Sequence, residues 1–259
     1  TEAECEEATS FHSKLSLMLA NVSDDVKCTI VGSREFDKTF SEVLQNSLSR
    51  VIWSRPSIKS YGYIAILDKA NIAQILVNRP IPAYNYISTD TQAAIRSAFD
   101  CIQKHTARAR MGLLVPRLDL EESFLSEREI FFHQMLYEYE FPLKFFGRAP
   151  NKSTREILTQ VRAALDKVDD MDYLFVPDFY MVPFVITLAD ERGIVLGKDL
   201  SLLTIDWDEG EHTEGIICLK QNWDEMFHKA LEWAQSPLLE KVQELVVPQL
   251  IEKRLTALS

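Results

Sequence analysis

Four polar residues stand where apolar runs break off. Ser54 follows RVIW, Asp90 follows PAYNYIST, Asp178 follows YLFVP and Asp206 follows SLLTI. A carboxylate or hydroxyl held at the end of a buried strand is a fixed hydrogen-bond acceptor, which a polyhydroxylated ligand needs. Local alternatives compete with that role. Asp90 precedes TQAAIRSAF and Asp178 precedes FYMVPFVIT, so both also suit helix N-caps. Asp206 leads into WDEGEHTEG, where there is no helix pattern to cap, and its alternative is a solvated loop acid.

Signals for covalent or metal chemistry are missing from the sequence. It has no G-x-S-x-G nucleophile elbow and no H-E-x-x-H. The five histidines, His12, His105, His133, His212 and His228, show no ligand spacing. The run GIVLGKD at 193–199 is one residue short of a phosphate loop and ends in Asp instead of Ser or Thr, so it reads as a helix C-terminal glycine and a turn. Glu209 and His212 fall in an acidic stretch that reads as a solvated loop. Paired aspartates serve a glycosidase only when acid and base flank one bond at a set separation, which sequence does not specify. The expectation is a binding protein and not an enzyme, with no cofactor and no metal.

Composition limits the partners. The chain has 259 residues, 46% of them hydrophobic, enough for one large core or two lobes. Lys and Arg number 28 against 39 Asp and Glu, a net charge of −11 that opposes a polyphosphate surface. No apolar run reaches the roughly 18 residues of a membrane span, and TEAECEEATS is acidic where a secretion signal is basic and then apolar. Cys5, Cys28, Cys101 and Cys218 lie far apart without a C-x-x-C pair, which fits reduced core thiols. A cytoplasmic location, or a piece of a longer cytoplasmic chain, is expected.

The elements that must position the polar residues alternate in type. Short apolar runs fall at 27–31 (KCTIV), 50–53, 82–87, 110–115, 142–146, 173–176 and 201–205, with helical patterns at 36–48, 91–104, 126–139, 154–168, 181–191 and 223–234. That rhythm predicts an α/β protein whose parallel strands are buried on both faces. Ligands of such sheets bind at the carboxyl ends of the strands, where the four polar residues stand. Ala8, Phe11, Leu15, Met18 and Leu19 form a helical stripe that feeds the first strand without a strand before it, so the chain is expected to begin inside a longer protein.

Several segments resemble the effector-binding core of the LacI/GalR transcriptional regulators, a bilobed fold shared with periplasmic sugar-binding proteins. IPAYNYISTD is similar to the family's strand and junction "iPvv.id..D", and SEREIFF at 126–132 to its "a..R..Gf" turn. YLFVPDFYMVPFVITLADERGIVLGKDLSLLTID resembles "aif..nd..A.g...al.e.Gl.vP.disvigfD". CLKQNW resembles the "tikqdf" crossover and VVPQLIEKRL the "p.lv.R.S" tail. The order and spacing of these segments over most of the chain carry the likeness. Phe131 stands where the family has glycine, Phe179 where it has aspartate, and Thr204 where it has the glycine of "vigfD".

The resemblance implies a two-lobed, periplasmic-binding-protein-like fold, each lobe a parallel sheet flanked by helices, joined by a three-stranded hinge. The implied amino lobe is 1–103 plus 223–248 and the carboxyl lobe 104–222 plus 249–259, with the chain crossing near 103–106, 220–223 and 248. It places Asp90 as a sugar-contacting aspartate, Arg128 as a ligand-clamping arginine, Asp178 in the place of an asparagine, Asp206 as the closing aspartate and Trp223 as an aromatic lining the cleft. Ser54 and Phe179 complete the candidate ligand-binding set. An arginine fork among carboxylates suits a polyol, and an aromatic face suits the C–H side of a sugar ring. The implied function is an effector domain that senses a small sugar-like molecule by cleft closure, as a homodimer, and signals to an upstream DNA-binding head absent from this sequence; the alternative is a solute-binding protein of a transporter.

Overall fold

The computed structural model describes residues 40, 44, 50–116, 123–149, 153–207, 214–237 and 240–253. The expected helical stripe at 8–19, the strand at 27–31 and most of the helix at 36–48 lie outside the described residues.

The elements run β1 (Arg50–Ser54), α1 (Tyr61–Lys69), β2 (Ala73–Val77), β3 (Asn85–Thr89), α2 (Thr91–His105), β4 (Met111–Val115), α3 (Ser123–Glu138), β5 (Leu143–Arg148), α4 (Thr154–Leu165), β6 (Tyr173–Val176), α5 (Val182–Glu191), β7 (Ser201–Ile205), β8 (Ile216–Lys220), α6 (Trp223–Gln235), β9 (Gln243–Val246) and β10 (Gln249–Lys253). One sheet has the order β1-β2-β3-β9 and the other β10-β8-β7-β6-β4-β5. The pairings β1–β2, β2–β3, β4–β5, β4–β6, β6–β7 and β7–β8 are parallel. β10 joins β8 antiparallel at the edge of the larger sheet. The α/β class and the parallel strands are those the apolar rhythm predicts.

Contacts divide the described chain into two units, one containing 60–87 and 224–243 and the other 88–223 with the residues from 244 onward. The expected boundary at 103 put residues 88–103 with the amino lobe, but the contacts group them with the second unit. The reason is the buried face of α2: Ala94, Ile95, Ala98, Phe99 and Ile102 share one cluster with Phe132 and Met135 of α3 and with Leu113, Phe175 and Leu203 of the sheet. Phe99 stacks on Phe141 at 5.6 Å and meets Phe132 edge-on at the same distance. Rings in such contacts add about 1 kcal/mol beyond the area they bury.

The opposite face of the larger sheet is covered by α4 and α5. Leu114, Leu174, Val176 and Leu202 point there, onto Ile157, Val161, Val185 and Leu188. Successive side chains of a strand alternate faces, so a strand covered on both sides is apolar throughout. MGLLV, YLFV and SLLTI are accordingly buried at every position. The first unit has its own core of Trp53, Ile64, Leu67 and Leu76, in which the Trp53 indole donates to Gln74 at 2.8 Å.

Candidate functional site

Arg128 lies on α3 and is 8% exposed. Its Nη1 donates to the carbonyl of Pro177 at 2.5 Å, which ties α3 to the turn after β6. The Phe124 ring, one helical turn earlier, lies 4.8 Å from the guanidinium carbon. Burial pushes the pKa of this arginine down, while the carboxylates of Asp206, Asp178 and Glu127 pull it back up. A buried guanidinium is held by the field of acids at the ends of two adjacent parallel strands, β6 and β7.

Asp178 follows β6 directly after Pro177. Its carboxylate accepts from the backbone N–H of Tyr180 at 3.2 Å, capping a short 3₁₀ turn, Phe179–Met181, that leads into α5. Phe179 is half-buried on that turn. Asp90 caps α2, accepting from the N–H of Ala93 at 2.9 Å. The capping alternatives for both residues are therefore realised, which leaves each carboxylate oriented by its own helix or turn. The second oxygen of a capping carboxylate retains acceptor capacity toward a ligand.

Asp206 is neither a cap nor a solvated acid. It ends β7 at φ +59, a left-handed conformation that aspartate tolerates better than most residues. Its N–H bonds to the carbonyl of Leu219 at 3.1 Å, continuing the β7–β8 ladder. Its carboxylate then takes over from the backbone: one oxygen accepts from the N–H of Gln221 at 2.9 Å and the other from the Gln221 side-chain amide. The amide oxygen of Gln221 in turn accepts from the Thr89 hydroxyl at 2.5 Å. Gln221, at the middle of this chain from β3 to the residue after β7, is 6% exposed, while Thr89 and Asp206 at its ends are half-buried.

Gln221 and Thr89 are the residues sequence reasoning missed. The signal was present in the polar residues that close β3 and follow β8, in IST and LKQN, but nothing in one dimension says that Gln221 and Asp206 follow neighbouring strands. Trp223 opens α6 two residues later, half-buried, with its N–H on the Gln221 carbonyl at 3.0 Å. Ser54 is exposed at the end of β1 in the first unit. The second unit holds the other six candidates: Asp90, Arg128, Asp178, Phe179, Asp206 and Trp223.

The departures from the family pattern have local explanations. Thr204 is fully buried and its hydroxyl donates to the Val176 carbonyl at 2.8 Å, joining β7 to β6. Phe131 packs onto the α2–α3 core. A separate surface groove beside α3, lined by Gln92, Ser126, Glu129, His133 and Arg148, contains none of the candidates. There Arg148 Nη2 donates to both carboxylate oxygens of Glu129, at 2.6 and 2.8 Å, so its charge is met internally.

No protein-family model and no curated protein matches the chain. Solved structures do. A LacI-family transcriptional regulator from Silicibacter pomeroyi is 17% identical, with a TM-score of 0.68 over 88% of this chain and 72% of that one. A Caulobacter myo-inositol binding protein bound to myo-inositol is 20% identical, with a TM-score of 0.66 over 88% and 83%. A periplasmic binding protein/LacI transcriptional regulator from Alkaliphilus metalliredigens complexed with D-xylulofuranose is 17% identical, with a TM-score of 0.61 over 86% and 84%. At these identities the likeness is one of fold: the chain has the fold of LacI/GalR-type effector-binding domains and of periplasmic sugar-binding proteins.

Proposed function

We propose that this chain is the effector-binding domain of a LacI-type transcriptional regulator that senses a small sugar-like molecule at the strand ends around Arg128, Asp178 and Asp206. The observation that carries this reading is the Arg128 guanidinium, 8% exposed and donating to the Pro177 carbonyl, with the carboxylates of Asp178 and Asp206 near enough to act on its charge. A charged group withdrawn from water is costly unless it is compensated, and a ligand bearing hydroxyls can complete such a set of donors and acceptors. Arg128 would supply fixed donors; Asp90, Asp178 and Asp206 would accept; Phe179 and Trp223 would face the apolar side of a ring. Sugars and inositol in the similar structures are the same chemical class.

A binding domain of this kind works by preferring one of two conformations when loaded, which shifts their populations by the difference in affinity. In the regulator reading the shift is transmitted within a homodimer to a DNA-binding domain elsewhere in the full-length cytoplasmic protein. The acidic charge of −11 opposes DNA contact through this domain itself. None of the described helices is long and apolar enough to cross a membrane.

The test is thermal unfolding of the chain against sugars, sugar acids, sugar phosphates and polyols. A ligand at about 100 times its Kd stabilises the native state by roughly 2.7 kcal/mol and raises Tm by several degrees. Arg128→Lys keeps the charge but loses the planar fork, so the ligand-induced shift should fall at least about tenfold in affinity while the unliganded Tm stays within a few degrees. Silence across the panel, or an unchanged affinity in Arg128→Lys, overturns the assignment of this site. A hit with intact Arg128 dependence, combined with a secretion signal on the full-length protein, would instead favour the transporter-associated solute-binding protein.

A further inference from the structure

Two turns at the C-terminal end of α2 carry Cys101 and His105, four residues apart and thus on one face of the helix. Opposite them is Glu252 on the edge strand β10. The Cys101 thiol donates to one oxygen of Glu252 at 3.0 Å and His105 Nε2 lies 2.6 Å from the other, so the carboxylate sits between a sulfur and an imidazole. All three potential ligand atoms lie within 4.8 Å of one another. This cluster is at the opposite end of α2 from Asp90, about 20 Å away along a 15-residue helix, and the polyol reading makes no use of it.

We propose that Cys101, His105 and Glu252 form a binding site for one zinc-type divalent ion, clipping the last turn of α2 to β10. The donor set mixes thiolate, imidazole and carboxylate, the three side-chain ligand types zinc accepts. Zinc bonds of about 2.3 Å to sulfur and about 2.0 Å to nitrogen and oxygen span ligand atoms up to roughly 4 Å apart, so the ion fits with shifts of a fraction of an ångström. Two ligands on adjacent turns of one helix are preorganised by the i, i+4 spacing, which is the spacing of the two histidines in helical zinc motifs. His105 and Glu252 are 30% and 35% exposed, which gives an entry path and a fourth position for water.

Protonation balances without any co-reactant. Before binding, the thiol is intact: burial first, and then the Glu252 hydrogen bond and charge, hold the Cys101 pKa up at about 12. The ion breaks the S–H bond as the sulfur–metal bond forms, the proton leaves to buffer, and the sulfur donates its lone pair; no electron is transferred. Lys104, beside Cys101, favours the thiolate. Tyr173, kept protonated by burial, lies within electrostatic reach of both Cys101 and Glu252 and borders the site from β6.

The experiment titrates chelator-treated protein with Zn²⁺ by calorimetry in buffers of different ionisation enthalpy, and with Co²⁺ by absorption. The expected result is one ion per chain, release of at least one proton, a thiolate-to-cobalt charge-transfer band and a raised Tm with zinc. Cys101→Ala should abolish the band, and Glu252→Gln should weaken zinc at least about tenfold while leaving the metal-free Tm nearly unchanged. If Cys101→Ala does not fold, Glu252→Gln decides alone. Binding without the charge-transfer band, equal zinc affinity in Glu252→Gln, or no binding at micromolar zinc each overturns the site and leaves a hydrogen-bonded helix-to-strand contact.

Discussion

Asp206 carries two separable jobs, and two substitutions separate them. As a clamp, its carboxylate holds the backbone and side chain of Gln221; as a charge, it offsets the buried Arg128. Asp206→Ala loses both and leaves the Gln221 donors unmet, at a cost of roughly 3 kcal/mol in urea unfolding, since hydrogen bonds to charged groups contribute about 1.5 to 3 kcal/mol each. Asp206→Asn keeps an acceptor for the Gln221 N–H. If the Gln221 amide turns over, its oxygen accepts from the new amide and its nitrogen donates to the Thr89 hydroxyl, which can act as acceptor. The clamp survives and only the charge is lost, so Asn should cost roughly 1 kcal/mol while the ligand response falls. Equal destabilisation by Ala and Asn would show that the charge, not the clamp, holds the strand end. The dependence of Asp206 on Gln221 was hidden in the sequence because the partners are fifteen residues apart and meet only through strand pairing.

At the scale of elements, strands buried on both faces announced themselves and others did not. β4, β6 and β7 are continuous apolar runs, as parallel strands between two helical layers must be. β8 has an equally apolar IICLK, and the likeness of CLKQNW to a crossover overlaps its last three residues. β10 reads QLIEK because an edge strand needs only alternating cover, and a polar edge discourages pairing with a second chain. α1 is short, and its Gly62 lowers helix propensity, so YGYIAILDK did not stand out. The turn into β8 depends on Gly215, at φ +72 with the Gly197 backbone nitrogen 2.0 Å from where a Cβ would sit. The neighbour is backbone and cannot rotate away. Gly215→Ala should therefore destabilise by about 2 kcal/mol or more, read as a lowered denaturation midpoint at unchanged m-value; a loss of only a few tenths would mean that the 197 turn yields freely.

At the scale of the whole molecule, the resemblance assigns α2 to the amino lobe, while the contacts group it with the second unit. Its sequence follows β3 directly, so a boundary after the helix is natural in one dimension, yet its apolar face is complementary to α3 and to the larger sheet. Phe99→Ala, which deletes a fully buried ring, should cost about 3 to 5 kcal/mol. Hydrogen exchange then locates the damage: β4, α3 and β6 lose protection together, whereas β1, α1 and β2 keep theirs. Loss of protection in β1 and β2 to the same extent would refute the division of the cores and make the chain one cooperative block.

The sequence by itself determined the α/β class, most of the buried parallel strands of the larger sheet and the polar residues at their ends, because periodicity and composition are local properties that burial imposes on each segment. It also singled out Arg128 as a candidate, through the likeness of its turn to a known pattern. The caps of Asp90 and Asp178, which reach three and two residues along the chain, were legible in the sequence as well. Only the tertiary structure decided the rest: that Asp206 clamps Gln221, that Arg128 is withdrawn from water among acids, and that Cys101 and His105 meet Glu252. Each depends on strand order and helix packing bringing together residues dozens to more than a hundred positions apart, or on the neighbour relation of two strand ends, and no local pattern encodes those separations.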